Sequence, residues 1–203
     1  MLQSKQYEHL LKETPFSKPQ LSAHIKLYEG YVNKLNAILG QLGPADRAGA
    51  NYTFGEYSEL KRREPVAYNG MVLHELYFDA LGRAGRTRPD DAVKEQIAAS
   101  YGSWNNWLKD MTAAASSCHG WALLVFDPVE KKLKTNLVQS EHHVGLFANT
   151  PILMALDVWE HAYTIQFGIN KAKYLKAFFD SVDWEVVNRR FLRLHRGISL
   201  IAG

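Results

Sequence analysis

Apolar positions recur at steps of three and four between Leu21 and Leu42. Leu21, His24, Tyr28, Tyr31, Leu35, Ile38 and Leu42 share one face, which predicts an amphipathic helix. Ser17 with Gln20 three residues on is a capping-box pattern, Pro19 lies in the first turn, and Gly43-Pro44 stops the helix. A second helix is predicted over "NGMVLHELYFDALGR", where His74, Tyr77, Phe78 and Leu81 share a face. The stretch between them, "ADRAGANYTFGEYSELKRREPVA", is polar and interrupted, and reads as a connection with a short helix. "GRAGRTRPDD" has three arginines, two glycines and a proline, and reads as a linker.

Beyond that linker, "DDAVKEQIAASYG" and "SWNNWLKDMTAAASS" read as helices started by Asp and Ser caps. The period then changes. "GWALLVFD" and "KLKTNLVQ" are strand-like runs on either side of "PVEKK", a hairpin signal, and "PILMALDV" is a third short apolar run. "KAKYLKAFFDSV" and "DWEVVNRRFLRLH" close the chain as helices. Strands gathered in one stretch of sequence, rather than alternating with helices, predict an α+β fold. The expected layout is an N-terminal helical hairpin domain over 1–88 and a C-terminal α+β domain over 89–203 with a three-stranded antiparallel sheet.

Composition narrows the function classes. The 203 residues are 46% apolar and 22% charged, ordinary for a soluble globular protein. A formal charge of +3 is too small to argue for nucleic acid, but suits a small anionic substrate if the basic residues ring a cleft. No apolar run approaches the roughly 18 residues that a membrane span needs, and the first twenty residues carry no apolar signal core, so a cytoplasmic protein is expected. The single cysteine, Cys118, excludes an internal disulfide and a thiolate-rich metal site, and reads as a small buried hydrophobe.

The candidate chemistry lies in the histidines, of which there are eight. His24 and His74 fall on the apolar faces of the two predicted helices, where each on its own also reads as a satisfied core histidine. Asp157 ends the third apolar run and His161 follows four residues later, in "LMALDVWEHAYTIQF". A buried carboxylate at that place must find a cation or hydrogen-bond donors, so a structural Asp–His pair fits as well. Together the three imidazoles and one carboxylate form a mixed N/O set that suits iron, manganese or zinc and leaves room for solvent. Tyr28, Tyr31, Tyr77, Phe78, Trp121 and Trp159 would make a dry shell around it, although plain core packing also accounts for them.

"DVWEHAY" resembles, without a mismatch, the C-terminal signature D-x-W-E-H-A-Y of the iron/manganese superoxide dismutases. "KYLKAFFDSVDWEVVNRRF", "YGSWNNWLKDMTAAASSCHGWALLVFD", "YNGMVLHELYFDAL" and "HIKLYEGYVNKLN" are similar to further segments of that family, so the resemblance runs from about Ser17 to Arg193. It implies one iron or manganese ion per chain, held by His24, His74, Asp157 and His161; the ligands are the same for both metals, and iron, or use of either, is the expectation. It implies ping-pong dismutation of superoxide to dioxygen and hydrogen peroxide in a homodimer or homotetramer, with no nucleic-acid or membrane partner.

Tyr31 would be the gateway tyrosine, and Glu160 would reach His161 of the partner subunit. The chain also departs from the family's pattern. Where a glutamine usually holds the bound solvent, Gly70 occupies one possible source and "QSEHHVGLF" the other. His142 is the first candidate to replace that glutamine, then His143, then Glu141. Tyr28 stands where a second histidine is common, and Thr164 where a tyrosine is, which leaves the proton relay open. The competing readings are a non-haem iron oxygenase, disfavoured by a fourth protein ligand, and a non-catalytic or differently reactive metal-binding relative, disfavoured because no ligand is lost.

Overall fold

The computed structural model describes residues 1–82 and 91–201, and side chains over 1–82 and 92–194. The expected linker falls almost wholly on residues 83–90. That segment, the boundary at 88/89 and the expected Asp cap at its end therefore lie outside the described residues.

A short α1 (Leu10–Glu13) precedes the long antiparallel pair α2 (Lys18–Leu42) and α3 (Glu56–Asp79). The cap of α2 is the expected one, with Ser17 Oγ accepting from the Gln20 amide at 3.3 Å. The α3 helix is longer than its apolar period suggested. It begins at Glu56 and runs through Pro65, absorbing most of the stretch read as a connection. Proline costs a helix one hydrogen bond. Here the freed carbonyl belongs to exposed Lys61, where water can take the bond.

The second half begins with α4 (Asp91–Tyr101) and α5 (Trp104–Ser117), the latter capped by Ser103 Oγ on the Asn106 amide at 3.1 Å. Next come β1 (Gly120–Asp127), β2 (Lys132–Gln139), the left-handed turn α6 (Ser140–His143) and β3 (Ile152–Asp157). A 3-10 turn at Glu160–Ala162 leads into α7 (Thr164–Phe167), α8 (Lys171–Ser181) and α9 (Trp184–Ile201). The sheet is three-stranded and antiparallel, in the order β2-β1-β3. The fold is α+β, as the strand clustering predicts.

The central strand β1 is buried along almost its whole length, so its face toward the helical hairpin is apolar as well. It pairs Trp121 with Asp157 on β3 and with Val138 on β2. Gly120 opens it at φ +155°, and a Cβ there would stand 2.1 Å from the Val138 carbonyl oxygen, so only glycine fits. The hairpin packs onto the strand ends: α3 lies against β3, and α2 against the 3-10 turn and α7. The end of α3 is stitched to the α8–α9 junction, with Gly82 N donating to Ser181 O and Asp183 N to Ala80 O, both at 2.8 Å. The core between the halves is aromatic: Trp121, Tyr28, Tyr77, Tyr174, Phe78 and Phe178 are fully buried. Each such side chain contributes on the order of 1.5–3 kcal/mol by burial.

Candidate metal centre

Four ionisable side chains converge where the halves meet. His24 comes from the second turn of α2 and His74 from the last turns of α3. Asp157 ends β3, and His161 sits on the 3-10 turn that follows. Asp157 Oδ2 is the hub, 3.0 Å from His24 Nε2, 3.1 Å from His161 Nε2 and 3.5 Å from His74 Nε2. One ligand atom from each of the four lies within 4.8 Å of all the others. The sequence reading expected this set of four, and the fold brings them together from positions up to 137 residues apart, Leu-rich strand on one side and two helices on the other.

The set fits a metal ion. His74 Nδ1 donates to the Gly70 carbonyl oxygen at 2.5 Å, which leaves Nε2 of the neutral ring with its lone pair toward Asp157. That Nε2 is fully buried and has no hydrogen-bond partner among the described residues, a costly arrangement unless a cation takes the lone pair. Nitrogens and an oxygen held roughly 2.1 Å from one ion stand about 3–3.5 Å apart, which is the spacing found around Asp157 Oδ2.

The protonation states agree. Burial pushes His74 down to about 3, with His24 nearby adding to the shift. His24 is also lowered, chiefly by burial. Burial alone would raise the Asp157 carboxyl. The His161 charge and the hydrogen bonds from His161 and His24 outweigh it and hold the group well below the usual carboxylate range. His161 moves up instead, because its partial exposure limits the burial penalty and Asp157 favours the charged ring. Two neutral imidazoles and a firmly ionised carboxylate are a hard-to-borderline donor set for a cation.

Around this cluster runs a second layer. Trp121 Nε1 donates to His142 Nδ1 at 2.8 Å, so neutral His142 carries its proton on Nε2. That Nε2 donates to Tyr31 Oη at 2.7 Å. The Tyr31 ring lies tilted against His74, 5.3 Å from ring centre to ring centre. Gly70 makes this contact possible, because a Cβ there would fall 2.5 Å from the Tyr31 ring. His142 lies in a run of non-glycine residues at positive φ: Ser140 at 32°, Glu141 at 52° and His142 at 61°. This conformation costs about 1–2 kcal/mol per residue, and the side chain of Asn69 braces it by donating to the His142 carbonyl oxygen at 3.0 Å.

Of the three candidates for the missing glutamine, only His142 is buried. His143 is half-buried and bonds the Glu141 carbonyl, and Glu141 pairs with Arg63 on the surface. Tyr28 takes a different place from Tyr31. Its ring is fully buried, and its hydroxyl donates to Glu75 and accepts from the Lys5 amide, both at 2.9 Å. Glu160 is exposed and pairs within its own chain with His119 at 2.6 Å. The sequence reading did not pick out Trp121 as a donor, Asn69 as a brace or Gln20 as a buried polar group. A polar residue on an otherwise apolar helix face, one turn before His24, was the available signal for Gln20.

Comparison with known proteins agrees with this chemistry. Residues 89–190 match the family model for iron/manganese superoxide dismutases, C-terminal domain. The superoxide dismutase [Fe] of Aquifex aeolicus is 37% identical over 177 residues, covering 86% of this chain and 81% of the relative. The superoxide dismutase [Fe] of Cupriavidus metallidurans is 37% identical over 185 residues, covering 89% and 90%. The superoxide dismutase [Mn] 1 of Halobacterium salinarum is 33% identical over 195 residues, covering 91% and 95%. Shared identity over most of the chain, together with the three-histidine, one-aspartate cluster, places the chain in the iron/manganese superoxide dismutase family.

Proposed function

We propose that Tyr31 and His142 deliver protons to superoxide beside the metal, and that iron is the preferred ion. A bound iron or manganese ion supplies one-electron redox cycling: one superoxide is oxidised to dioxygen, the next is reduced, and two protons complete hydrogen peroxide. The chain's own groups do the rest. Asp157 supplies the only negative charge among the four ligands, so the ligand set leaves a net positive charge to attract an anion. Burial pushes Tyr31 up, which keeps its hydroxyl protonated at neutral pH. The Nε2 proton of His142 occupies the Tyr31 oxygen, so the Tyr31 proton is free to point toward the site. His142 is itself lowered by burial and stays neutral, which preserves this direction.

The observation that carries the reading is the Trp121–His142–Tyr31 hydrogen-bond chain ending against His74. It stands where the family's glutamine is absent, and a change there tunes redox potential and metal preference. Tyr28 is assigned a supporting place behind His74, against which it packs. Glu160 is assigned to a subunit contact, reaching the partner subunit's metal centre in a homodimer or homotetramer. The neighbouring exposed Ile165 and Ile169 support an assembly surface there. The single buried Cys118 is compatible with a reducing, cytoplasmic compartment. A division at 88/89 is supported by the family model's first matched residue, 89. Among the described residues no helix is long and apolar enough to cross a membrane.

Elemental analysis of purified protein beside a dismutation assay tests the reading. About one iron or manganese per chain with activity is expected, iron giving the faster enzyme when both are offered separately. Metal without turnover would favour the alternative, a differently reactive metal-binding relative.

A further inference from the structure

His161 is unlike the other three ligands. His24, His74 and Asp157 are 0–1% exposed and ride on two long helices and a sheet strand, whereas the His161 side chain is 31% exposed and stands on a three-residue turn. Such a turn has too few internal hydrogen bonds to hold a ligand in place. The next element, α7, has only four residues, and its first amides cannot be satisfied within it.

Gln20 takes up both deficits. It is 1% exposed on α2, one turn before His24 and on the same face. Its Nε2 donates to the His161 carbonyl oxygen at 2.6 Å. Its Oε1 accepts from the amide of Ile165 at 3.1 Å, and from that of Gln166 at 3.3 Å in a bond shared with the Tyr163 carbonyl oxygen at 3.2 Å, capping α7 from across the joint. Gln166 answers in the other direction. Its Oε1 accepts from the Ser17 amide at 2.6 Å, at the cap of α2, and its Nε2 donates to the Pro15 carbonyl oxygen at 3.1 Å. The two glutamines thus exchange side chains between the helix that carries His24 and the turn that carries His161.

We propose that Gln20, with Gln166 as its reciprocal, is a positioning residue for the metal centre: it locks the His161 backbone to α2 and so sets metal retention. A ligand held by its own backbone anchors loses less freedom when the metal binds, and loss of such support typically costs roughly 10–100-fold in metal affinity. This rests on the metal-centre reading above.

The test is the dissociation constant for Mn(II), measured by chelator competition on the full chain, with the melting temperature of metal-free protein and hydrogen exchange at Ile165 and Gln166. Gln20→Met keeps the length and removes the amide. It is expected to weaken Mn(II) binding about 10–100-fold and to speed exchange at Ile165. Gln20→Glu keeps the acceptor for Ile165 and Gln166 but loses the donor to His161. It is expected to retain protection at Ile165 while still weakening Mn(II) binding. Should Gln20→Met not fold, Gln20→Glu and Gln166→Met carry the test, the latter with a smaller loss of less than about 10-fold. Variants that melt lower yet bind Mn(II) within about twofold of the parent would make Gln20 a purely structural residue and overturn the proposal. A parent chain that binds no Mn(II) or iron would overturn the metal reading itself, a separate and visible result.

Discussion

The two sides of the metal centre are built by different means. On the helical side, His24 and His74 sit inside helices of 25 and 24 residues, and regular geometry aims them. An added anchor there is the hydrogen bond from His74 to Gly70, one turn away on the same helix. On the other side the chain leaves β3 and turns sharply, and long-range anchors add to the turn's own short-range hydrogen bonds. Trp121 stands opposite Asp157 across the sheet, Tyr174 Oη donates to the Asp157 carbonyl oxygen at 2.5 Å, and Gln20 grips His161. A helix stores ligand geometry in its own period, whereas a turn must borrow it from neighbours. The helical side should therefore tolerate changes around its ligands, and the turn side should not.

The hub is the place to break both sides at once. Asp157→Asn keeps the size but removes the charge shared by three histidines. Metal content should fall below about a tenth of the parent and dismutation by about 100-fold or more, since loss of one partner in a buried charged set costs several kcal/mol. Elemental analysis and a superoxide assay check both numbers.

Acid should expose the buried, neutral imidazoles of the helical side. The folded-state pKa values of His74 and His24 lie below the unfolded value near 6.5. As pH falls below about 6.5 the unfolded chain therefore binds protons that the folded chain refuses. Stability of the metal-free protein should fall by up to about 1.4 kcal/mol per pH unit for each of the two, continuing toward pH 3 for His74. His161, shifted the other way, acts in a separate window above that one. Its stabilisation is fully present below about 6.5 and is lost as pH rises through its higher folded value. Denaturant titrations of metal-free protein between pH 4 and 8 measure the net slope, and His74→Gln should flatten it.

Gly70→Ala sharpens the comparison within the helical side. The helix itself gains propensity, but the new methyl meets the Tyr31 ring at 2.5 Å. Overpacking of this kind costs about 1–3 kcal/mol, and displacement of Tyr31 should slow turnover roughly 10-fold while metal content stays near the parent value. The smallest effect is expected from Glu160→Gln. Its partner His119 and the acid itself are both more than half exposed, and exposed pairs contribute little. The melting temperature should move by less than about 2 °C. Sedimentation should reveal a weaker assembly if Glu160 serves a subunit contact, and an unchanged one if it serves only His119.

Much of this was legible in the sequence because it is carried by local period. The α2 face, the Ser17 cap, the three strands and the Asp157–His161 spacing all follow from steps of two, three and four along the chain. The length of α3 was not legible, since Pro65 and a charged run mask a helix whose far end lies open to water. Nor was the choice among His142, His143 and Glu141, since three adjacent polar residues look alike until a left-handed turn buries one of them.

By itself, then, the sequence determined the α+β class and the family resemblance that names the four ligands, because the strand periods and the motifs around each ligand are local in the chain. Only the tertiary structure decided which side chains support those ligands. The bond from Trp121 to His142, the space that Gly70 leaves for Tyr31, and the exchange between Gln20 and Gln166 link residues 21 to 146 positions apart. No local period records such pairings, because they come into being when the hairpin closes on the sheet and buried polar groups must find partners there.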